Sequence, residues 1–471
     1  MDARPPFDAV NPWQDFALVV DNAERAASAA VSAVTVLDRS GSMISSAYVD
    51  VTRTAARTFV DLLRVGDDFG LVSFGSSAVV EFAAAGAVVD IAGAAERASA
   101  RAAINGIGFG GMTAMGPGLA AGAGLLAGSA GARGIVLLSD GYDNGSPTAL
   151  DAAAALPAGL PVYSCAMGPL SDQALLEQIA STTGGRYYFM PTIDDLFEIH
   201  NYISATLTGT SLVANESAQA SSSHVDAWVD SSCGEVTFTV TWADTALKFS
   251  ADEARKRNEL CVRLRLPNGK LLPANASCVQ RVVGQGNVLM RVDEPAAGRW
   301  RIEVSTARDA HTRYTAAAYV DSPVRLWLGG KRDFVKLPFD WNGLAEVRLD
   351  KDTLRDVRLA AVLRRPMVDP ARVLKAFGDK VRKVPPIKGT PKAIVQLRAI
   401  VEWLRKKGQP YPFTYADERM GWRPQEPGSA TWVASARPDL PGSYNVVLQA
   451  RGQLPDGTPF VRKQLASFVA A

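Results

Sequence analysis

Two apolar runs in this 471-residue chain each end in an aspartate. Ala33 to Leu37 leads into Asp38, and Ile135 to Ser139 leads into Asp140. Apolar-rich runs of this length read as strands buried on both faces. In open parallel α/β sheets, ligands bind at the carboxyl ends of the strands, near the point where strand order reverses. Two strands far apart in sequence can therefore aim both carboxylates at one spot. Hydroxyls surround the same positions. Asp38-Arg39-Ser40-Gly41-Ser42 follows the first run, and Thr113 ends a glycine-rich loop, Gly110-Gly111-Met112-Thr113. A segment such as Asp38 to Ser42, taken singly, is also a good turn. It is the joint placement that makes Asp38, Ser40, Ser42, Thr113 and Asp140 candidate metal ligands. Small, hard oxygens suit Mg²⁺ as the expected ion, with Mn²⁺ or Ca²⁺ as alternatives.

The rest of the first 210 residues alternates strand and helix. Strands are expected at 16–20, 33–37, 69–74, 79–82, 134–139, 161–166 and 186–189. Helices are expected near 47–65, 94–104, 117–128, 172–181 and 193–207. Val51, Ala55, Phe59 and Leu62 follow helical spacing in the first of these, and Gly66 reads as its stop. This order predicts a Rossmann-like parallel sheet covered on both faces. From 211 to 322 the period drops to two, as in Val236 to Trp242, which predicts an antiparallel β-sandwich. Residues 323–471 read as a second β domain interrupted by a helical insertion at about 369–420. Asp369-Pro370 and Thr390-Pro391 mark its helix starts.

The Asp-x-Ser-x-Ser signature, Thr113 and Asp140 together resemble the metal-ion-dependent adhesion site of von Willebrand factor A (VWA) domains, over roughly residues 1–210. That resemblance implies that Asp38 and Asp140 act through bound water. The ion would then hold mostly neutral ligands and lack one anionic oxygen, which a partner protein's Glu or Asp supplies. It also implies that the last helix, 193–207, moves with ligand state. Met43, Gly111, Met112, Met115 and Tyr142 are expected around the metal as an adaptable rim. The segment Cys233 to Trp242 and the run Ser181 to Gly185 are similar to calcium-activated chloride channel regulators. Those proteins also carry a zinc protease with a His-Glu-x-x-His helix. This chain has only His200, His224 and His311, widely spaced, so no proteolytic role carries over.

Other motifs are weaker. Gly106 to Gly111 matches a dinucleotide fingerprint by letter but lies outside a first strand–helix turn. Asp140 to Asp151 imitates a calcium loop, yet Tyr142 occupies a ligand position and a strand precedes it. Four cysteines show no zinc spacing, and Cys233, Cys261 and Cys278 leave room for one disulfide. No apolar leader and no membrane-length apolar stretch is visible, so a cytoplasmic protein is expected, and the Ala and Arg content fits a GC-rich bacterial source. The charge is uneven. Residues 1–210 hold 10 Arg and no Lys against 21 Asp and Glu, whereas the whole chain is +2. Residues 369–408 hold 11 Lys and Arg against 3 acids. Arg382, Lys383, Arg405, Lys406 and Lys407 are candidate contacts to an anionic partner, nucleic acid included. The competing reading is a helical pair docked on the acidic first domain. The favoured function is non-enzymatic, a metal-dependent module that binds a protein partner; the alternatives are a nucleic-acid-associated factor using residues 369–408 and, last, a metal-dependent enzyme.

Overall fold

The computed structural model describes residues 30–471 except 92, 252–255, 274–275, 277, 307–311, 331–333 and 382. The strand expected at 16–20 and Arg382 lie outside the described residues.

The first sheet contains β1 (Val31–Asp38), β2 (Asp68–Phe74), β3 (Ala78–Phe82), β4 (Val89–Asp90), β5 (Ala132–Ser139), β6 (Val162–Met167) and β7 (Tyr187–Met190). Its order is β3-β2-β1-β5-β6-β7, with β4 also on β2. β2, β1, β5, β6 and β7 run parallel, and β3 and β4 are antiparallel to β2. Order reverses between β1 and β5, where Leu37 lies opposite Leu138. Helices α1 (Gly41–Ser45), α2 (Val49–Leu62), α3 (Ala94–Gly106), α4 (Met115–Leu125), α5 (Ala149–Ala154), α6 (Gln173–Thr183) and α7 (Leu196–Thr208) connect the strands. Phe59, Ile104 and Ile203 pack on one side of the sheet, and Leu119, Ala152 and Ile179 on the other. That double cover is why all eight residues of β1 are buried.

Two further layers follow. β8 (Ser211–Gln219), β9 (Ser221–Val229), β10 (Glu235–Trp242), β11 (Lys248–Ser250), β12 (Glu259–Arg265), β13 (Val279–Val283), β14 (Asn287–Asp293), β15 (Gly298–Thr306) and β16 (Arg313–Asp321) form a sandwich. The sheet β11-β12-β15-β9 faces β13-β14-β10-β16-β8 across Val225, Phe238, Trp242, Val262, Trp300 and Ile302. One pair, β11 with β12, is parallel rather than antiparallel. Next come β17 (Val324–Gly330), β18 (Phe334–Val335), β19 (Trp341–Leu349), β20 (Asp352–Thr353) and β21 (Val357–Pro366). Helices α8 (Pro370–Phe377) and α9 (Lys392–Lys406) precede β22 (Tyr415–Met420), β23 (Arg423–Pro424), β24 (Trp432–Ala436), β25 (Gly442–Gln453) and β26 (Pro459–Ala470). The sandwich sheet continues through β26-β25-β21-β22, making ten strands with β18. Its two halves meet at β8 and β26, where Lys463 lies opposite Leu212.

The helical insertion is shorter than expected. Tyr415–Met420 is an edge strand paired antiparallel with β21, so α8 and α9 are the elaborated loop of a β-hairpin. Asp369 caps α8, accepting from the Ala371 amide at 2.8 Å. Thr390 does not cap α9. Pro391 takes the N-cap position at φ −56°, and its carbonyl accepts from Ile394 and Val395. Cys233 is buried, Cys278 is exposed, and neither forms a disulfide. No helix among the described residues is long and apolar enough to cross a membrane.

The first domain is held firmly by the strands that follow it. On α7, Asn201 donates to Asn215 of β8 at 2.9 Å and accepts from the Tyr319 hydroxyl of β16 at 2.7 Å. At the far edge, Asn445 of β25 donates to the Phe189 carbonyl of β7 at 2.9 Å. Within this seam His200 is buried against Phe59, with ring centroids 5.8 Å apart. Its Nδ1 lies 3.3 Å from the Ser204 hydroxyl, and Nε2 has no partner. Burial lowers the His200 pKa from 6.5 to about 4. The unfolded chain therefore takes up a proton that the folded chain refuses, and stability falls as pH drops from 6.5 towards 4. The expected loss is about 3 kcal/mol. Urea melts across that range should show it, and His200→Leu should remove this part of the pH dependence.

Candidate metal centre

Asp38 closes β1, and the chain then turns sharply into α1. The Ser40 amide donates back to Asp38 Oδ1 at 2.8 Å, fixing that turn. The turn brings Ser40 Oγ to 3.0 Å from Ser42 Oγ. Ser42 Oγ in turn donates to Asp140 Oδ1 at 2.7 Å, and Asp140 follows β5 directly. The second oxygen of Asp140 accepts from Ser46 Oγ at 3.1 Å. Asp38 Oδ2 accepts from Ser139 Oγ at 2.6 Å. The two carboxylates and two serines thus share one hydrogen-bonded cluster at the β1–β5 crevice.

Thr113 completes it. Gly141 brackets its position, because a Cβ there would lie 2.8 Å from Thr113 Oγ1 and 3.2 Å from Asp38 Oδ2. The Thr113 loop is tied down by Asn144, whose Oδ1 accepts from the Thr113 amide at 2.9 Å. Asp143 braces the next turn, accepting from the amides of Met115, Gly145 and Ala149. Gly111 must be glycine for two reasons. Its φ is +91°, and a Cβ would meet Ser76 Oγ at 2.8 Å. All five expected ligands therefore converge. Asp38, Ser40, Thr113 and Asp140 are buried, and Ser42 is half-buried.

The electrostatics favour a cation. Burial, and then the charge of Asp140, push Asp38 up to about 7. Asp140 is also raised by burial, and Arg398 is the strongest influence in the opposite direction. Two carboxylates crowded in a dry crevice are costly unless a positive charge joins them. Among the described residues no group of three or more His, Cys, Asp or Glu forms a metal cluster. The donor set is instead two carboxylates and three hydroxyls, which fits a hard, oxygen-seeking ion such as Mg²⁺. Asp38, Ser40, Ser42, Thr113 and Asp140 are the residues that would hold it. Because Gly141 permits the close approach of Thr113 and Asp38, Gly141→Ala is expected to weaken Mn²⁺ binding on the order of tenfold. Calorimetric titration checks this, with circular dichroism to confirm an unchanged fold.

Burial removes two residues from the expected rim. Met43 and Met115 are fully buried and support the loops from beneath, so neither reaches a partner. Met43 is the third residue of α1 and Met115 the first of α4, and each packs into one of the two cores that flank the sheet. Gly111 and Met112 are exposed and Tyr142 is half-buried, so these three stay at the surface. Ile44, the next residue after Met43, is 53% exposed.

The basic insertion lands on this same face. Arg398 of α9 donates through Nη2 to the Asp140 carbonyl at 2.6 Å and to the Leu170 carbonyl at 3.2 Å. Leu170 also packs against the small core of α8 and α9 around Val373, Leu397 and Ile400. Arg405 and Lys406 both pair with Glu402, at 2.6 and 3.3 Å. Lys383 and Lys407 are exposed. This placement favours a helical pair docked on the acidic first domain over a nucleic-acid contact. Between α9 and the Asp140 loop lies a cleft of about 170 Å³, lined in part by Ser46, Tyr48, Asp140, Arg398, Arg405 and Tyr411. Small-molecule sites usually span about 300–1,000 Å³.

The von Willebrand factor type A domain family matches residues 33–201. No curated protein matches the chain. Among solved structures, the chain is similar to a von Willebrand factor type A protein from Catenulispora acidiphila, with 18% identity over 68% of this chain and 62% of that one, at a TM-score of 0.36. It is also similar to proximal thread matrix protein 1 from the mussel byssus, described with a zinc-occupied MIDAS motif, at 21% identity over 39% and 46% and a TM-score of 0.35. The PilB minor pilin from Streptococcus sanguinis matches at 14% identity over 38% and 61%, with a TM-score of 0.31. In each case the chain covers less than two thirds of the other protein. Residues 33–201 of this chain are a von Willebrand factor type A domain, followed by a strand-rich region of several sheets.

Proposed function

We propose that this protein binds another protein through a divalent cation held by Asp38, Ser40, Ser42, Thr113 and Asp140, with Mg²⁺ the expected ion. The observation that carries the reading is the continuous cluster from Asp38 through Ser40 and Ser42 to Asp140. It leaves the ion with mostly neutral oxygens around it. Such an ion keeps a strong affinity for one more anionic oxygen, and a Glu or Asp of the partner supplies it. We read the chemistry as binding rather than turnover, because the neighbouring cleft, about 170 Å³, is smaller than the usual small-molecule site. Capture of a partner by the full chain in Mg²⁺, its release by EDTA, and its absence with Asp38→Asn are the expected results. A partner retained equally in EDTA would overturn the metal-bridged reading.

A further inference from the structure

The cleft beside Asp140 has walls from two distant parts of the chain. Ser45, Ser46, Tyr48 and Leu170 form one side, and Arg398, Val401, Glu402, Arg405 and Tyr411 the other. The second wall carries Arg398 and Arg405 against Glu402, and Asp140, whose charge the ion proposed above would match, also lines the cleft. Glu402 is already matched by Arg405 and Lys406, and Arg398 adds a further charge beside Asp140. The Arg405 side chain is 60% exposed and its guanidinium is held near Glu402. Exposed Ile44, Met112 and Tyr411 supply apolar surface on the same loops and on the chain after α9. The volume, about 170 Å³, suits a side chain and not a nucleotide or a folded lobe.

We propose that this cleft is a second contact point for the same partner segment, and that it recognises a second acidic side chain. One carboxylate of the segment meets the metal. Another, a short fixed distance along, enters the cleft and pairs with Arg405, beside Arg398. Arginine is suited to this because its fork of N–H donors matches a carboxylate. The insertion in the last β region thereby sets which partners the VWA domain accepts. A single acid satisfies the ion, but only an acid pair at the right spacing satisfies both sites. This inference rests on the metal-dependent reading above and adds a partner chemistry to it.

A random peptide library displayed against the immobilised full chain tests it, in Mg²⁺ and in EDTA. The proteins compared are wild type, Arg405→Glu, and Lys392→Glu at the opposite end of α9 as a charge-matched control. Wild type and Lys392→Glu are expected to enrich peptides carrying two acids at one spacing, only in Mg²⁺. Arg405→Glu is expected to keep the first acid and lose the second, with affinity for wild-type-selected peptides reduced about tenfold, the scale of one charge-assisted contact. If Arg405→Glu enriches the same acid pair, or if wild type selects one acid alone, the second contact is wrong while the metal site stands. If no acidic peptide is enriched in a Mg²⁺-dependent way, the metal-bridged reading falls and this inference falls with it.

Discussion

Asp38→Asn should lower Mn²⁺ and Mg²⁺ affinity on the order of 100-fold, and yet leave the metal-free protein no less stable. The two halves of this expectation have one cause. Asp38 sits in a dry crevice beside Asp140, and burial with that neighbouring charge raises it to about 7. A carboxylate whose folded value lies above its unfolded one costs stability as pH rises between the two. Asparagine keeps the shape and can still accept from the Ser40 amide, but it brings no charge. The metal-free variant should therefore melt at or above the wild-type temperature at pH 7. Added Mg²⁺ should then separate the two proteins. At 100 times its dissociation constant a ligand stabilises the wild type by about 2.7 kcal/mol, and the variant should gain little. Calorimetric titration with Mn²⁺ and melts with and without Mg²⁺ measure both effects. A variant that binds Mn²⁺ like wild type would remove Asp38 from the site.

Arg462→Met should destabilise the chain by about 3–5 kcal/mol. Arg462 is 1% exposed and lies on β26, near the junction with β8. Its guanidinium donates to Asp230 at 2.7 Å, to Ser322 at 2.5 Å, to the Val324 carbonyl at 2.8 Å and to the Val461 carbonyl at 2.8 Å. Burial alone would raise Asp230, and the Arg462 charge with the Ser232 hydroxyl outweighs it, so this carboxyl sits below its ordinary value. Removing the arginine strands a fully buried carboxylate. The damage should be partly relieved in Arg462→Met, Asp230→Leu, because an apolar pair leaves no unmatched charge. Urea unfolding of the three proteins measures the coupling. A single-variant loss under about 1 kcal/mol would mean that Asp230 finds another partner, against this account.

Much of the first domain was legible because its strands are short apolar runs with sharp polar ends. Asp38 and Asp140 stood out as the first charges after such runs, and the sheet places both at the β1–β5 crevice. Thr113 was legible from its glycines. Ser46 was missed although it stands one helical turn beyond Ser42 and reaches the same Asp140. Sequence spacing does not show which way the side chains of Met43 and Met115 turn, and both turn inward. Arg398 could not be found from sequence at all. Its bond to the Asp140 carbonyl spans 258 residues, and no local pattern marks it. The end of the insertion read as helix because Tyr415 to Met420 carries charged residues on both faces. As an edge strand it can leave those charges in water.

The contact of Arg398 with the Asp140 loop has a bearing on how the protein is made. On the ribosome β1, α1 and β5 precede the insertion, so Asp38, Ser42 and Thr113 are made well before Arg398. The guanidinium that grips the same loop emerges only after some 250 more residues, along with the hairpin that carries it. Under the proposed reading, a chain cut before α9 would keep the residues that would hold the ion and lose the Arg398 contact, and with it one wall of the cleft.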